Sequence, residues 1–215
     1  MTQVLIRTLN VIFIFVSMAL SSSDVLAAKY HLHNSIHDGQ KLPFQSFVGA
    51  GKWDNYLVMT LPFNPIADLF KQLLIQKQRP LTSRGEAHIT VITPVEYWNV
   101  LKTKLSIEEI NYVATNEKIQ NSGFEIICLG SGTATVDEKE EQTYFVVVDS
   151  KDLLNIRRKI QSAFVQKGGN PHEFNPAQYL PHITVGFTKR DLHESDGIIK
   201  DRSACSDQIT EWPYR

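Results

Sequence analysis

The sequence predicts a fold of mixed strands and helices arranged as two similar halves, and three observations carry that prediction. A strand, a helix with one apolar face, a polar loop and a second strand follow one another twice along the chain. Each series ends in the same phrase, His88-Ile89-Thr90-Val91 in the first and His182-Ile183-Thr184-Val185 in the second. Strands opening at Tyr56 and Tyr144 stand at similar distances before those phrases, and the extra residues of the second half fit in a longer loop from Gly168 to Asn175.

The N-terminus reads as an address. Arg7 and the α-amine give a positive start, Val11 to Val16 lead an apolar stretch reaching about Leu20, and Val25-Leu26-Ala27 is a small-residue cleavage pattern. The stretch is shorter than the roughly 20 apolar residues of a spanning helix. The prediction is a secretory signal peptide over 1–27, cut after Ala27, with an uncleaved anchor as the alternative. A single domain over 28–215 then acts in a secreted or periplasmic location, with no membrane in its mature form. In that oxidising space Cys128 and Cys205 either pair or remain two buried thiols, and the sequence leaves both open. The 215 residues carry a formal net charge of -1, which excludes a general polyanion binder.

Residues 28–52 show no strong periodicity. His31, His33 and His37 fall there, two of them in His-x-His spacing, but no Cys and few carboxylates complete a tetrahedral zinc set. An extended leader is expected. Tyr56 to Leu61 is a strand, and Asn64 caps a helix with Pro65 at its first position. Ile66, Leu69, Phe70, Leu73 and Leu74 make its apolar face, and Arg79-Pro80 ends it. A polar loop through Arg84-Gly85-Glu86 leads to the first His-Ile-Thr strand.

Thr93 with Glu96, and Ser106 with Glu109, each place an acid three residues after a cap and start two further helices, the second closed by Asn121-Ser122-Gly123. Residues 124–129 and 133–136 read as short strands around Gly130-Ser131-Gly132, and the charged run 137–141 as a solvated turn. Tyr144 to Val148 is a strand. Ser150 caps a helix whose Leu153, Ile156, Ile160 and Phe164 share a face, and Gly168-Gly169 stop it. After Phe187 the pattern weakens into an irregular tail with a short helix near 190–195.

The repeated phrase carries the chemistry. Side chains alternate along a strand, so His88 and Thr90 share one face while Ile89 and Val91 take the other; the same holds for His182 and Thr184 against Ile183 and Val185. Packing alone needs no imidazole and hydroxyl on a polar face. Placed across an approximate two-fold axis, two imidazoles supply a general base and a general acid near neutral pH. Two threonine hydroxyls can donate to the non-bridging oxygens of a phosphodiester. The active strands hold no Asp or Glu of the kind magnesium sites use, so neither metal nor cofactor is expected. Arg84 either pairs with phosphate or is a surface loop residue, Tyr179 and Phe187 either stack a base or pack, and Glu86 either orients His88 or is solvated.

These paired His-x-Thr strands, the second written Pro181-His182-Ile183-Thr184-Val185-Gly186-Phe187, resemble the 2H phosphoesterase superfamily. The approach Arg84-Gly85-Glu86-Ala87-His88-Ile89-Thr90 is similar to its Swiss-army-knife RNA-repair-like branch. The resemblance implies a bilobal α+β fold of two pseudo-symmetric antiparallel sheets with outer helices and a central cleft. It implies metal-independent hydrolysis of nucleotide phosphodiesters, with 2′,3′-cyclic ends or small cyclic or 2′,5′-linked nucleotides as substrates. His88, Thr90, His182 and Thr184 match the four catalytic positions; Arg84, Tyr179 and Phe187 are the candidate substrate contacts. A monomer acting on small nucleotides or oligonucleotide ends is expected; the alternative is an exported protein that binds nucleotide or phosphate without turnover.

Overall fold

A computed structural model describes residues 30–213; the predicted signal peptide and its cleavage site lie outside the described residues. In chain order the elements are β1 (Tyr30–His33), a 3-10 helix (Asn34–Lys41), β2 (Leu57–Leu61), α1 (Phe63–Lys77), β3 (Ala87–Ile92), α2 (Pro94–Asn99) and α3 (Ile107–Asn116). Then follow β4 (Glu125–Val136), β5 (Lys139–Asp149), α4 (Lys151–Gln166), β6 (His182–Phe187), β7 (Cys205–Asp207) and β8 (Ile209–Trp212).

The His-x-Thr strands belong to two different antiparallel sheets. β2 and β3 form one pair, with Thr60 opposite His88 and Val58 opposite Thr90. β6 is an edge strand of a four-stranded sheet in the order β6-β5-β4-β7. Thr82, just before β3, exchanges both backbone hydrogen bonds with Phe187 at the end of β6, at 2.8 and 3.0 Å. That bridge ties the two sheets, and β3 and β6 run alongside one another.

Alternation along these strands separates core from site. Ile89, Val91, Ile183 and Val185 sink into the main core with Ile66, Leu69 and Leu73 of α1 and Leu153, Ile156 and Ile160 of α4. On the opposite face of the larger sheet Phe145, Val147 and Cys128 form a smaller cluster with Leu192 and Ile198 of the tail. His182 and Thr184 point to this second face. Burying aliphatic side chains contributes about 1.5–3 kcal/mol each, so the two cores fix which face of β6 the imidazole occupies.

Local signals behave as their chemistry requires. Thr93 with Glu96 and Ser106 with Glu109 form complete capping boxes, and the Ser150 hydroxyl accepts from the Leu153 amide. Asp137 and Glu138 take positive φ of 49° and 63°, a two-residue hairpin joining β4 to β5, so the charged run 137–141 is a turn only at its first two residues: Lys139, Glu140 and the buried Glu141 already pair within β5.

Four further expectations are corrected. The stretch after Ala28 is not an extended leader: Tyr30, Leu32 and Ile36 are fully buried, and β1 pairs in parallel with β8. Such a four-residue strand whose partner lies at the other end of the chain leaves no local pattern. α1 begins at Phe63 after Pro62, without a side-chain cap from Asn64. The two short strands around Gly130-Ser131-Gly132 are one strand of 12 residues. Its glycines lie under neighbours, since a Cβ on Gly130 would stand 2.6 Å from the Phe145 ring and one on Gly132 2.5 Å from Ile198. Finally, the tail holds a 3-10 turn at Glu194–Asp196 and then β7 and β8. Cys128 and Cys205 form a disulfide, tying β4 to β7.

Candidate active site

His182 opens β6, and its backbone setting fixes the state of its ring. Nδ1 lies 2.8 Å from the carbonyl oxygen of Leu180, so this nitrogen carries the proton and donates. Nε2 keeps its lone pair and faces the Lys200 ammonium at 3.4 Å. Phe145 meets the imidazole edge-on, with ring centroids 5.9 Å apart. Burial first, and the Lys200 charge second, push the His182 pKa down to about 3. The ring is therefore neutral at pH 7.

Behind His182 stands a buried carboxylate, Asp191. Oδ1 accepts from the Thr143 hydroxyl at 2.7 Å and from Lys200 at 2.7 Å; Oδ2 accepts from the Thr184 hydroxyl at 2.8 Å and from Arg84 at 3.4 Å. Burial alone would raise its pKa, but the Lys200 charge and the hydrogen bonds from Lys200 and Thr143 outweigh it and hold Asp191 well below the usual carboxylate range. Thr184 is buried, and its one hydroxyl proton goes to Asp191, so that proton does not serve a phosphate oxygen in this arrangement.

The first motif is set differently. His88 Nδ1 lies 3.5 Å from a carboxylate oxygen of Glu86, which also stands 3.7 Å from Arg84 Nε. The His88 hydrogen bond is the main reason the Glu86 pKa is lowered. Thr90 is partly buried on the same face of β3. Opposite His88 across the sheet, the hydroxyl oxygen of Thr60 is buried with no hydrogen-bond partner. A cavity of about 300 Å³ opens here, lined by Gln45, Phe47, Thr60, Phe63, Glu86 and His88 among others. His88 and His182 are near enough that the charge of one acts on the other.

Arg157 of α4 links the approaches to the two strands. Fully buried, it donates to Val91 O near the end of β3 at 2.6 Å, to Pro176 O at 3.0 Å and Gln178 O at 3.1 Å in the loop before β6, and to both carboxylate oxygens of Glu96. Its guanidinium also covers the ring of Tyr179 at 4.7 Å. Tyr179, a candidate for base stacking, thus packs against the core and Arg157. Phe187 is partly buried at the Thr82 bridge. Arg84 reaches both Asp191 and Glu86, between the two imidazole sites.

Sequence reasoning missed Asp191, Lys200, Thr143 and the Leu180 carbonyl. Asp191 and Lys200 sit in the aperiodic tail, and they enter the site only because Leu192, Ile198 and the disulfide fold that tail over β6. The leader histidines are engaged separately: His37 bonds Glu211 at 2.6 Å, and His33 bonds Ser35 and meets Trp212 edge-on. Among the described residues no three His, Cys, Asp or Glu side chains gather as a metal site.

No curated protein and no solved structure matches the chain. A family model does: the one described as Swiss Army Knife, 2H phosphoesterase domain matches residues 55–193, more than half of the chain.

Proposed function

The chain belongs to the Swiss Army Knife 2H phosphoesterases, and from that premise we propose that it is a metal-independent phosphodiesterase using His182 as general base and His88 as general acid. The family makes it a phosphoesterase; the division of labour follows from the two imidazole settings. The observation that carries this reading is the contrast between them. His182 has its proton fixed on Nδ1 by the Leu180 carbonyl and a bare Nε2, whereas His88 faces the Glu86 carboxylate 3.5 Å from its Nδ1.

In the proposed reaction Nε2 of His182 takes a proton from water as its oxygen bonds to phosphorus. The phosphorus–oxygen bond to the leaving group breaks, and His88 delivers its Nε2 proton to that oxygen. Protons balance, with His182 ending charged and His88 neutral, and solvent exchange restores both. Thr90 and Arg84 donate to the non-bridging oxygens. The substrates proposed are 2′,3′-cyclic phosphate ends, opened to 2′-phosphates, and small cyclic or 2′,5′-linked nucleotides. They lie in a cleft between two lobes, one built on β3 and one on β6, and the cavity beside His88 takes the nucleoside that carries the leaving oxygen. The enzyme works as an exported monomer with Cys128 and Cys205 paired.

The test is a panel of cyclic and linear diesters incubated with the protein in EDTA and followed by phosphorus NMR. Turnover of at least one cyclic nucleotide is expected, and His88→Ala or His182→Ala lowers it about 10²–10⁴-fold. Tight nucleotide binding with no product would replace this reading by that of a binding protein. Activity lost in EDTA and restored by zinc would overturn the metal-free mechanism.

A further inference from the structure

We propose that Lys200 is a further catalytic residue of this site: its ammonium holds Nε2 of His182 before substrate binds and then donates to a non-bridging oxygen of the bound phosphodiester. The inference rests on the hydrolytic reading above. It starts from the position of Lys200, outside the residues 55–193 that carry the family pattern. The tail returns it to the site, where it is 3 % exposed.

A lysine that only clasped the tail to the sheet would need its carboxylate and nothing more. Lys200 has that partner, Asp191, at 2.7 Å. A second direction of the ammonium is taken by the His182 nitrogen that performs the chemistry, at 3.4 Å. The Phe145 ring lies 5.4 Å from the ammonium, and the proton directed at His182 is the one a ligand oxygen can take over. Burying an ammonium in this way is costly, and burial does lower the Lys200 pKa, while Asp191 opposes that shift.

Two features of the site give the charge a task. The Thr184 hydroxyl donates to Asp191, so the second motif lacks the phosphate donor that the first has in Thr90. Lys200 lies against the same carboxylate and supplies the missing donor as a charged one, the stronger kind. In addition, a cation at Nε2 keeps His182 unprotonated until an anionic diester arrives. The diester then takes the ammonium's hydrogen bond, frees the lone pair for water, and screens the cation from the imidazolium that forms. Lys200 keeps all its protons throughout. The charged and titratable groups acting on His182 are Lys200 and Asp191 from the tail and His88 from β3; Arg84 and Asp196 act in turn on Lys200.

The experiment combines binding and titration, so it does not depend on turnover. Inorganic phosphate affinity is measured by calorimetry, and the His182 pKa by NMR, for the full chain and for Lys200→Met and Lys200→Arg. Lys200→Met is expected to weaken phosphate at least about tenfold and to raise the His182 pKa by about one unit or more. Lys200→Arg restores part of both. A folded Lys200→Met protein with unchanged phosphate affinity and an unchanged His182 pKa would overturn the proposal and leave Lys200 a clasp. Should Lys200→Met not fold, the Lys200 side-chain resonance of the wild-type protein decides: it moves on titration with phosphate, or the proposal fails. Failure of the hydrolytic reading looks different, since the wild-type protein would then bind phosphate but leave every diester intact.

Discussion

Replacing Arg157 with leucine tests whether α4 holds the two His-x-Thr strands in place. The substitution removes six hydrogen bonds: four to the carbonyls of Val91, Asn175, Pro176 and Gln178 and two to Glu96. Breaking a buried ion pair from one side costs about 3–5 kcal/mol. Each carbonyl left unpaired adds about 1 kcal/mol at the low end. The Glu96 side chain is 25 % exposed and partly rehydrates, which trims the first figure. The expected loss is therefore about 6–8 kcal/mol, a large share of the roughly 5–15 kcal/mol of a whole domain. Urea unfolding measures it: the midpoint should fall with little change in slope. Because the orphaned carbonyls lie near the end of β3 and just before β6, phosphodiester turnover should fall in the fraction that remains folded. A loss below about 1 kcal/mol would refute the view of Arg157 as the link between the strands.

Two further outcomes follow from the site. The disulfide closes a loop of 77 residues, for which chain entropy gives about 4.5 kcal/mol as an upper figure. Cys128→Ser with Cys205→Ser should lower stability by about 2–4.5 kcal/mol and also lower kcat, because the tail it restrains carries Asp191 and Lys200; full activity under reducing conditions would contradict this. Glu86→Gln removes the carboxylate that stands between His88 Nδ1 and Arg84 Nε. Turnover should fall about tenfold, or 1.4 kcal/mol in the barrier; unchanged turnover would show that Glu86 is only solvated.

The site was legible where its parts are repeated and local. His-Ile-Thr-Val occurs twice, β-branched residues favour strands, and alternation then separates His88 and Thr90 from the buried Ile89 and Val91. Capping at Thr93, Ser106 and Ser150 was equally local and is found where the residues place it. What could not be read depends on distant segments meeting. β1 pairs with β8, Asp191 and Lys200 fold back over β6, and Arg157, in sequence one cation on a helix, gathers carbonyls from β3 and from the loop before β6. Tyr179 illustrates the same limit. Its position beside the motif suggests a base-stacking ring, yet a guanidinium from α4 covers it.

The division of roles between the two imidazoles is tested most directly by the pH dependence of kcat/KM for a 2′,3′-cyclic nucleotide. His182 is held neutral, with a pKa pushed down to about 3, so lowering the pH from 7 should leave the base form intact far below the ordinary histidine value of about 6.5. The acid limb should accordingly lie well under pH 6, and it should vanish in the residual activity of His182→Gln while the alkaline limb survives. His88→Gln should lose the alkaline limb instead. An acid limb near pH 6.5 in the wild-type protein, or one that persists without His182, would contradict the assignment of that residue as the base.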